Sequence, residues 1–250
     1  MIAPMRKSGC VACEECPLRP LDTFREFNDK ELAFMREFKT GELRVDGGAT
    51  ILVEGAHSAH LYTVLSGWGF RYKTLEDGRR QILNYVLPGD LIGLQGPVLG
   101  EMQHSVEALQ PVVLCVFERE RLHRLFQNHP SLAYDVTWLA AREESMLDDH
   151  LLSIGRRTAA ERAAYLLSFL HQRMDALNLN GDVEKRIPIT QTHIADTLGL
   201  SSVHTNRTLR KLAARGYIRW EPRGCSILKP EALLVLSGWD GIVEKGRPLI

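Results

Sequence analysis

The chain has 250 residues, with 31 Lys and Arg against 31 Asp and Glu, a formal net charge of zero, and 44% apolar residues. That length fits about two domains, each with a core of its own, and the composition is that of a soluble globular protein. No apolar run reaches membrane-spanning length and the opening MIAPMRKSG leads into cysteines rather than a signal-peptide core, so a cytoplasmic location with no membrane partner is expected.

An odd count of five cysteines in that compartment points to thiol or metal chemistry rather than to a disulfide framework. Cys10, Cys13 and Cys16 are crowded into GCVACEECPLRP. A C-x2-C-x2-C spacing lets three thiolates converge on one centre, and a Cys-Pro ending is common in iron-sulfur sites, although zinc and clusters both take a fourth ligand. The remaining candidates are Cys115, inside the apolar run Val112 to Phe117, and Cys225, near the end of the sequence. A cysteine alone in an apolar strand is most often a small core residue.

From about Gly47 to Phe117 short runs rich in Val, Ile, Leu and Tyr alternate with glycine turns. Ile51 to Val53, Leu61 to Leu65, Phe70 to Thr74, Gln81 to Val86 and Val112 to Phe117 are separated by Gly55, Gly67, Gly78 and Gly89. The pattern predicts a small antiparallel barrel or roll, with a hairpin turn at Glu76-Asp77-Gly78 and a tight corner at Pro88-Gly89-Asp90. Leu122, Leu125 and Phe126 then predict a short helix ending near Pro130. Ser131 is placed to cap a long helix running to about Ile154, in which Leu132, Val136, Leu139, Glu143, Met146, His150 and Ile154 alternate spacings of four and three. That is the seam of a two-helix coiled coil, and we expect it to be the dimer interface. Ala164, Leu167 and Leu170 open the second domain on a further helix.

In the stretch RIPITQTHIADTLGLSSVHTNRTLRKLAARGYIRWEPR, from Arg186 to Arg223, Thr190 caps a short helix whose residues Ile194, Ala195 and Leu198 share a face, and Gly199 stops it. Ser201 caps a second helix that turns Thr205, Leu209 and Leu212 inward. Its outer side carries Ser202, Val203, Asn206, Arg207 and Arg210, and a helix of this diameter fits the major groove of DNA. Seven basic residues against two acids in this stretch support nucleic-acid binding in a chain that is neutral overall. The expected DNA-contacting set is Thr190, Gln191, Ser201, Ser202, Val203, Asn206, Arg207, Arg210 and Lys211. Tyr217 to Trp220, a turn at Pro222-Arg223-Gly224, and Ser226 to Leu228 predict the hairpin wing of a winged helix.

This order of parts resembles the CRP/FNR family of transcription factors. The likeness covers nearly the whole chain and rests on GATILVEGA (Gly48 to Ala56), LYTVLSGWGFRY (Leu61 to Tyr72), LPGDLIG (Leu87 to Gly93), AERAAYLL (Ala160 to Leu167) and ITQTHIADTLGLSSVHTNRTLRKL (Ile189 to Leu212). It implies an α+β fold in four parts. These are a cysteine-rich segment (1–24), a β-roll sensor domain like those that bind cyclic nucleotides (25–128), a dimerisation helix (129–156) and a winged helix-turn-helix (157–250). It further implies a homodimer that binds palindromic double-stranded promoter DNA and touches RNA polymerase.

The family's two main branches differ in what the roll senses. The cyclic-nucleotide branch uses a Gly-Glu-Leu triplet and an Arg-Ser pair, but here Gly93-Leu94-Gln95 and Met102-Gln103 stand at those places, so cyclic AMP is not expected. The oxygen-sensing branch uses an N-terminal cysteine cluster and one cysteine in the roll. The resemblance therefore makes Cys10, Cys13, Cys16 and Cys115 the ligands of a [4Fe-4S] cluster, although the family's usual C-x2-C-x5-C spacing is C-x2-C-x2-C here. Zinc at the same thiols, thiol oxidation without metal, and a small molecule or haem in the roll remain as alternatives, with His57, His60 and His104 as possible axial ligands. At the position of Val203 the family commonly has Glu, while Arg207 is retained, so the half-site should differ from the usual ones. An enzyme is not expected, because the paired acids Glu143-Glu144 and Asp148-Asp149 lie on the long helix and suit a solvated face.

Overall fold

The computed structural model describes residues 10–177, 186–221, 224–242 and 246–250. Contacts divide the chain into two compact units, one of Met1–Gly69, Val86–Ala140 and Lys245–Ile250, the other of Phe70–Tyr85 and Ala141–Glu244.

In the first unit, α1 (Asp29–Phe38) starts at a capping box in which the Asn28 side chain accepts from the Lys30 and Glu31 amides and Glu31 accepts from the Asn28 amide. It was not anticipated, although Asn followed three residues later by Glu is a legible helix start. Strands β1 (Lys39–Val45), β2 (Thr50–Leu52) and β3 (His60–Ser66) follow. After the stretch Phe70–Tyr85, which belongs to the other unit, come β6 (Leu91–Ile92), α2 (Gln95–Leu99), β7 (Ser105–Ala108), β8 (Val112–Glu118) and α3 (Leu122–Asn128). One antiparallel sheet runs β1-β8-β3-β6, and β2 pairs with β7.

The apolar strands fall where their composition put them. β1 and β7 escaped because KTGELRV and SVEA mix polar with apolar residues, as suits the edge position of β1. One apolar cluster contains Val64, Met102, Val106 and Leu114; a second joins Phe38, Leu61, Phe117 and Leu125 to Leu132, Val136, Leu139 and Ile250. At the Pro88-Gly89-Asp90 corner Gly89 has φ 83°, and a Cβ there would lie 2.4 Å from the Phe24 ring, so only glycine closes this corner.

Helix α4 (Pro130–Arg156) begins one residue earlier than expected, with proline rather than a serine cap at its start. The fixed φ of proline and its missing N–H suit the first helical position. Its two halves are shared between the units. Leu132, Val136 and Leu139 are buried in the second cluster of the first unit. Glu143, Met146 and His150 face partners of the second unit: Arg71 Nη2 donates to Glu143 at 2.6 Å, and Asn84 Nδ2 donates to Glu143 at 2.8 Å and approaches Met146 Sδ at 3.8 Å. Ile154 is half-buried. The seam read as a dimer interface thus packs within its own chain, while Tyr134, Leu151 and Leu152 on the remaining surface of α4 are 69%, 71% and 52% exposed.

The second unit holds the neighbouring strands β4 (Gly69–Thr74, from Phe70 on) and β5 (Arg80–Val86, to Tyr85), joined through the expected turn at Gly78. It continues with α5 (Ala159–Ala176), capped by Thr158 and Glu161, then β9 (Arg186–Ile187), α6 (Gln191–Leu198), α7 (Ser202–Ala214), β10 (Ile218–Glu221), β11 (Gly224–Ile227) and α8 (Pro230–Ser237). β10, β11 and β9 make a three-stranded antiparallel sheet, and α8 packs on α5. Pro222 and Arg223, read as part of the wing turn, lie outside the described residues. Among the described residues no helix is long and apolar enough to cross a membrane.

Candidate functional site

Helices α6 and α7 are bounded as the residues dictate. Thr190 Oγ1 accepts from the His193 amide, Gly199 closes α6 at φ 63°, and Ser201 Oγ accepts from the His204 amide at the start of α7. Thr205, Leu209 and Leu212 are buried. The other side of α7 presents Ser202, Val203, Arg207, Arg210 and Lys211 to solvent, with Val203 78% exposed. Thr190 and Ser201 are exposed at the two helix starts, while Gln191 and Asn206 are half-buried and tied together, Asn206 Nδ2 donating to Gln191 Oε1 at 2.8 Å.

Residues of β5 that composition alone did not single out hold α6 in place. Arg80 pairs with Asp196 at 2.9 Å, Gln81 Nε2 donates to the Thr197 carbonyl at 2.8 Å, and the Tyr85 hydroxyl meets Thr197 Oγ1 at 2.9 Å. Burial pushes the Tyr85 phenol up, so it stays a neutral donor. The second acid of the basic stretch, Glu221, is paired with Arg186 at 2.5 Å and with Arg219 at 2.8 Å. Its carboxyl is lowered, first by the Arg219 hydrogen bond.

Cys13, Cys16 and Cys115 form a second feature, wholly within the first unit. Cys115 lies on β8 opposite Glu42 of β1 and Thr63 of β3. Cys13, Cys16 and Cys115 line one cavity of about 40 Å³, together with Lys39, Thr63, Leu249 and Ile250. Cys10 is exposed and outside that lining, and Cys225 is buried in β11 of the other unit. Lys39 and Glu42 fasten the cysteine segment to β1: Lys39 Nζ donates to the Val11 carbonyl and to Glu42 Oε1, both at 2.7 Å, and the Val11 amide donates to Glu42 Oε1 at 2.8 Å. Burial pushes the Cys115 thiol up to about 12, against the pull of the Lys39 ammonium, and raises Cys13 as well. Both are thiols rather than thiolates at neutral pH.

The expected four-thiolate set is therefore not assembled here. Cys10 stands apart, an ammonium shares the cavity, and among the described residues no group of three or more His, Cys, Asp or Glu is placed to hold a metal ion. As arranged, the residues do not present the four thiolates that a [4Fe-4S] cluster takes.

Elsewhere in the roll, Met102, at the place of the nucleotide-binding Arg-Ser pair, is 1% exposed and packs in the inner apolar cluster, and Gln95 Oε1 accepts from the Gln103 amide. Of the three histidines considered for haem, His57 is exposed and bonded to the Gly100 carbonyl at 2.7 Å, His60 is half-buried on β3, and His104 is buried.

Known proteins resemble this chain over both the roll and the helix pair. The family described as "Cyclic nucleotide-binding domain" matches residues 42–129, and that described as "Crp-like helix-turn-helix domain" matches 161–236. The chain is 34% identical to the nitrogen fixation regulation protein FixK of Bradyrhizobium diazoefficiens over 90% of this chain and 93% of that one. It is 28% identical to the transcriptional activator protein FnrL of Cereibacter sphaeroides over 91% and 92%. Among solved structures, FixK2 from Bradyrhizobium japonicum superposes with a TM-score of 0.69 at 28% identity, covering 78% of this chain and 96% of that one.

Proposed function

The chain belongs to the CRP/FNR family of DNA-binding transcriptional regulators, and from that membership we propose that it is a homodimeric regulator whose grip on palindromic promoter DNA changes with oxygen or redox state at the cysteine cavity. The observation that carries the DNA half is the capped pair α6 and α7, which buries Thr205, Leu209 and Leu212 and leaves a basic row exposed around Val203. In this reading α7 lies in the major groove. Arg207 pairs with a guanine edge, Val203 meets a thymine methyl, Asn206 is freed from Gln191 to read adenine, and Arg210 and Lys211 hold phosphates. Thr190, Gln191, Ser201 and Ser202 sit at helix N-termini, where backbone amides favour phosphate oxygens. Contact with RNA polymerase follows from the family reading.

Dimerisation is assigned to the exposed surface of α4 around Tyr134, Leu151 and Leu152, since the opposite surface is already packed within the chain.

The signal half is supported by three thiols converging on one cavity from two distant parts of the sequence. Two chemistries can act there. The [4Fe-4S] reading, through Cys10, Cys13, Cys16 and Cys115, draws on the family's oxygen-sensing branch and requires the segment carrying Cys10 to refold around its load. Thiol oxidation needs no fourth donor, but burial keeps Cys13 and Cys115 as thiols, so they react only as far as an opening exposes them. Anaerobic purification with iron, acid-labile sulfide and zinc analysis separates the two. About four irons and four sulfides per chain, bleached by air, establish the cluster. Absence of iron and sulfide, with DNA affinity that changes on thiol oxidation, establishes the second. DNA affinity indifferent to air and oxidant, and unchanged in Cys13→Ala and Cys115→Ala, removes the redox reading and leaves the DNA assignment standing.

A further inference from the structure

The cysteine cavity has a wall that comes from far along the chain. Leu249 and Ile250 line it, both buried, and the Thr63 hydroxyl, on the strand beside Cys115, donates to the Ile250 carbonyl. Residues 246–250 follow the DNA-binding unit in sequence but pack in the first unit.

Three kinds of contact hold them. Arg247 makes a one-residue parallel bridge to Phe24, its amide donating to the Thr23 carbonyl at 2.8 Å and its carbonyl accepting from the Arg25 amide at 2.9 Å. Its guanidinium, 3% exposed as a residue, donates to Asp90 Oδ1 at 2.5 Å and lies over the Phe24 ring. Asp90 is itself anchored at the glycine corner, its Oδ2 accepting from the Leu87 amide at 2.7 Å.

We propose that residues 246–250 are a releasable wall of the thiol cavity, latched by Arg247 on Asp90. About 40 Å³ of the cavity takes a water or two, so a larger adduct seated there on the half-buried Cys115 or Cys13 presses on its walls. The other walls are strands β1, β3 and β8, helix α1 at Met35, and residues between Val11 and Phe27, a stretch whose Val11 end is clamped by Lys39 and Glu42. Residues 246–250 hold on through a one-residue bridge, an ion pair, the Arg247 guanidinium over the Phe24 ring, one side-chain hydrogen bond and two apolar side chains, and lack the continuous ladder of a sheet strand. Chemistry at the thiols is thereby converted into release of the stretch that continues from the DNA-binding unit. That consequence rests on the reading of the cavity as the signal site; the latch itself does not.

The test is alkylation of the full-length protein with N-ethylmaleimide, with no DNA or oxidant present and each cysteine followed by mass spectrometry. Arg247→Ala and Asp90→Asn should each speed modification of Cys115 and Cys13 roughly ten-fold while Cys225, buried in the other unit, keeps its rate. Leu249→Ala trims the wall without touching the ion pair and should act in the same direction, which keeps the test decisive if Arg247→Ala does not fold. Unchanged Cys115 rates in these variants overturn the proposal. So does acceleration of Cys115 and Cys225 together, which makes the segment a support of the whole fold. Because DNA is absent, either result is independent of whether DNA affinity responds to air.

Discussion

Cys115 and Thr63 face each other across the β3 and β8 ladder, and the Thr63 hydroxyl holds the Ile250 carbonyl at the edge of the thiol cavity. One cross-strand pair thus links the roll cysteine to Ile250, which lies 187 positions from Thr63. Thr63→Val keeps the shape and removes that hydrogen bond, and should cost about 1 kcal/mol in urea unfolding, with a larger rise in Cys115 alkylation than the lost stability alone accounts for.

On the DNA face, Arg207→Ala should cost about 1–3 kcal/mol of specific binding and relax one base position of the half-site. Arg210→Ala or Lys211→Ala should weaken all sequences alike and lower the slope of log affinity against log salt by roughly one. Fluorescence anisotropy on matched and mismatched duplexes across a salt series separates the two roles. That these residues face outward was legible from sequence, because a capped helix with an apolar inner face leaves its other side defined by periodicity.

The two surfaces of α4 should respond oppositely. Leu132→Ala removes a side chain that is 0% exposed and should cost about 2–5 kcal/mol of stability. Leu151→Glu, at a position 71% exposed, should leave the melting temperature of the monomer almost unchanged and shift sedimentation from dimer towards monomer. A stable dimer in Leu151→Glu together with Tyr134→Asp would place the interface elsewhere. The spacing of four and three along α4 was visible in the sequence, but a stripe that packs on its own chain and one that packs on a partner helix obey the same period.

His150 sets an acid limit on stability. Burial, assisted by Arg173 and Arg71, drives its pKa down to about 3. The neutral ring meets the Tyr165 hydroxyl at Nδ1, 2.7 Å, and Asn84 Oδ1 at Nε2, 3.3 Å. Asn84 Nδ2 is spent on Glu143, so His150 Nε2–H donates and Nδ1 accepts. In the unfolded chain the same histidine titrates near 6.5, so the unfolded state binds the extra proton between about 6.5 and 3. Its contribution is fully present above pH 6.5 and is lost progressively as pH falls through that window, by an amount on the order of a few kcal/mol. Melting curves from pH 7.5 to 4.5 should show this loss, and His150→Gln should flatten it.

Arg25 joins two buried carboxylates, donating through Nη1 to Glu31 at 2.9 Å and through Nε to Asp135 at 2.8 Å. Burial opposes ionisation of Glu31, yet the Arg25 hydrogen bond outweighs it with further donors and holds the pKa at about 2. Arg25→Ala leaves both acids buried without their cation and should cost about 3 kcal/mol at pH 7. Part of that loss should be recovered on lowering the pH to 5, where the orphaned carboxyls take up protons.

By itself the sequence determined the order of parts, the capped helix pair, the basic stretch, most strands of the roll and the grouping of three cysteines. Caps, glycine corners and apolar periodicity are local, and each is written within a few neighbouring residues. Only the tertiary structure decided which surface of α4 is already occupied, that Cys13, Cys16 and Cys115 share a cavity with Lys39 while Cys10 stands outside it, and that Arg247 reaches Asp90 to close that cavity with Leu249 and Ile250. Those relationships depend on chain segments up to 187 positions apart coming together, and no local pattern encodes which distant partner fills a given space.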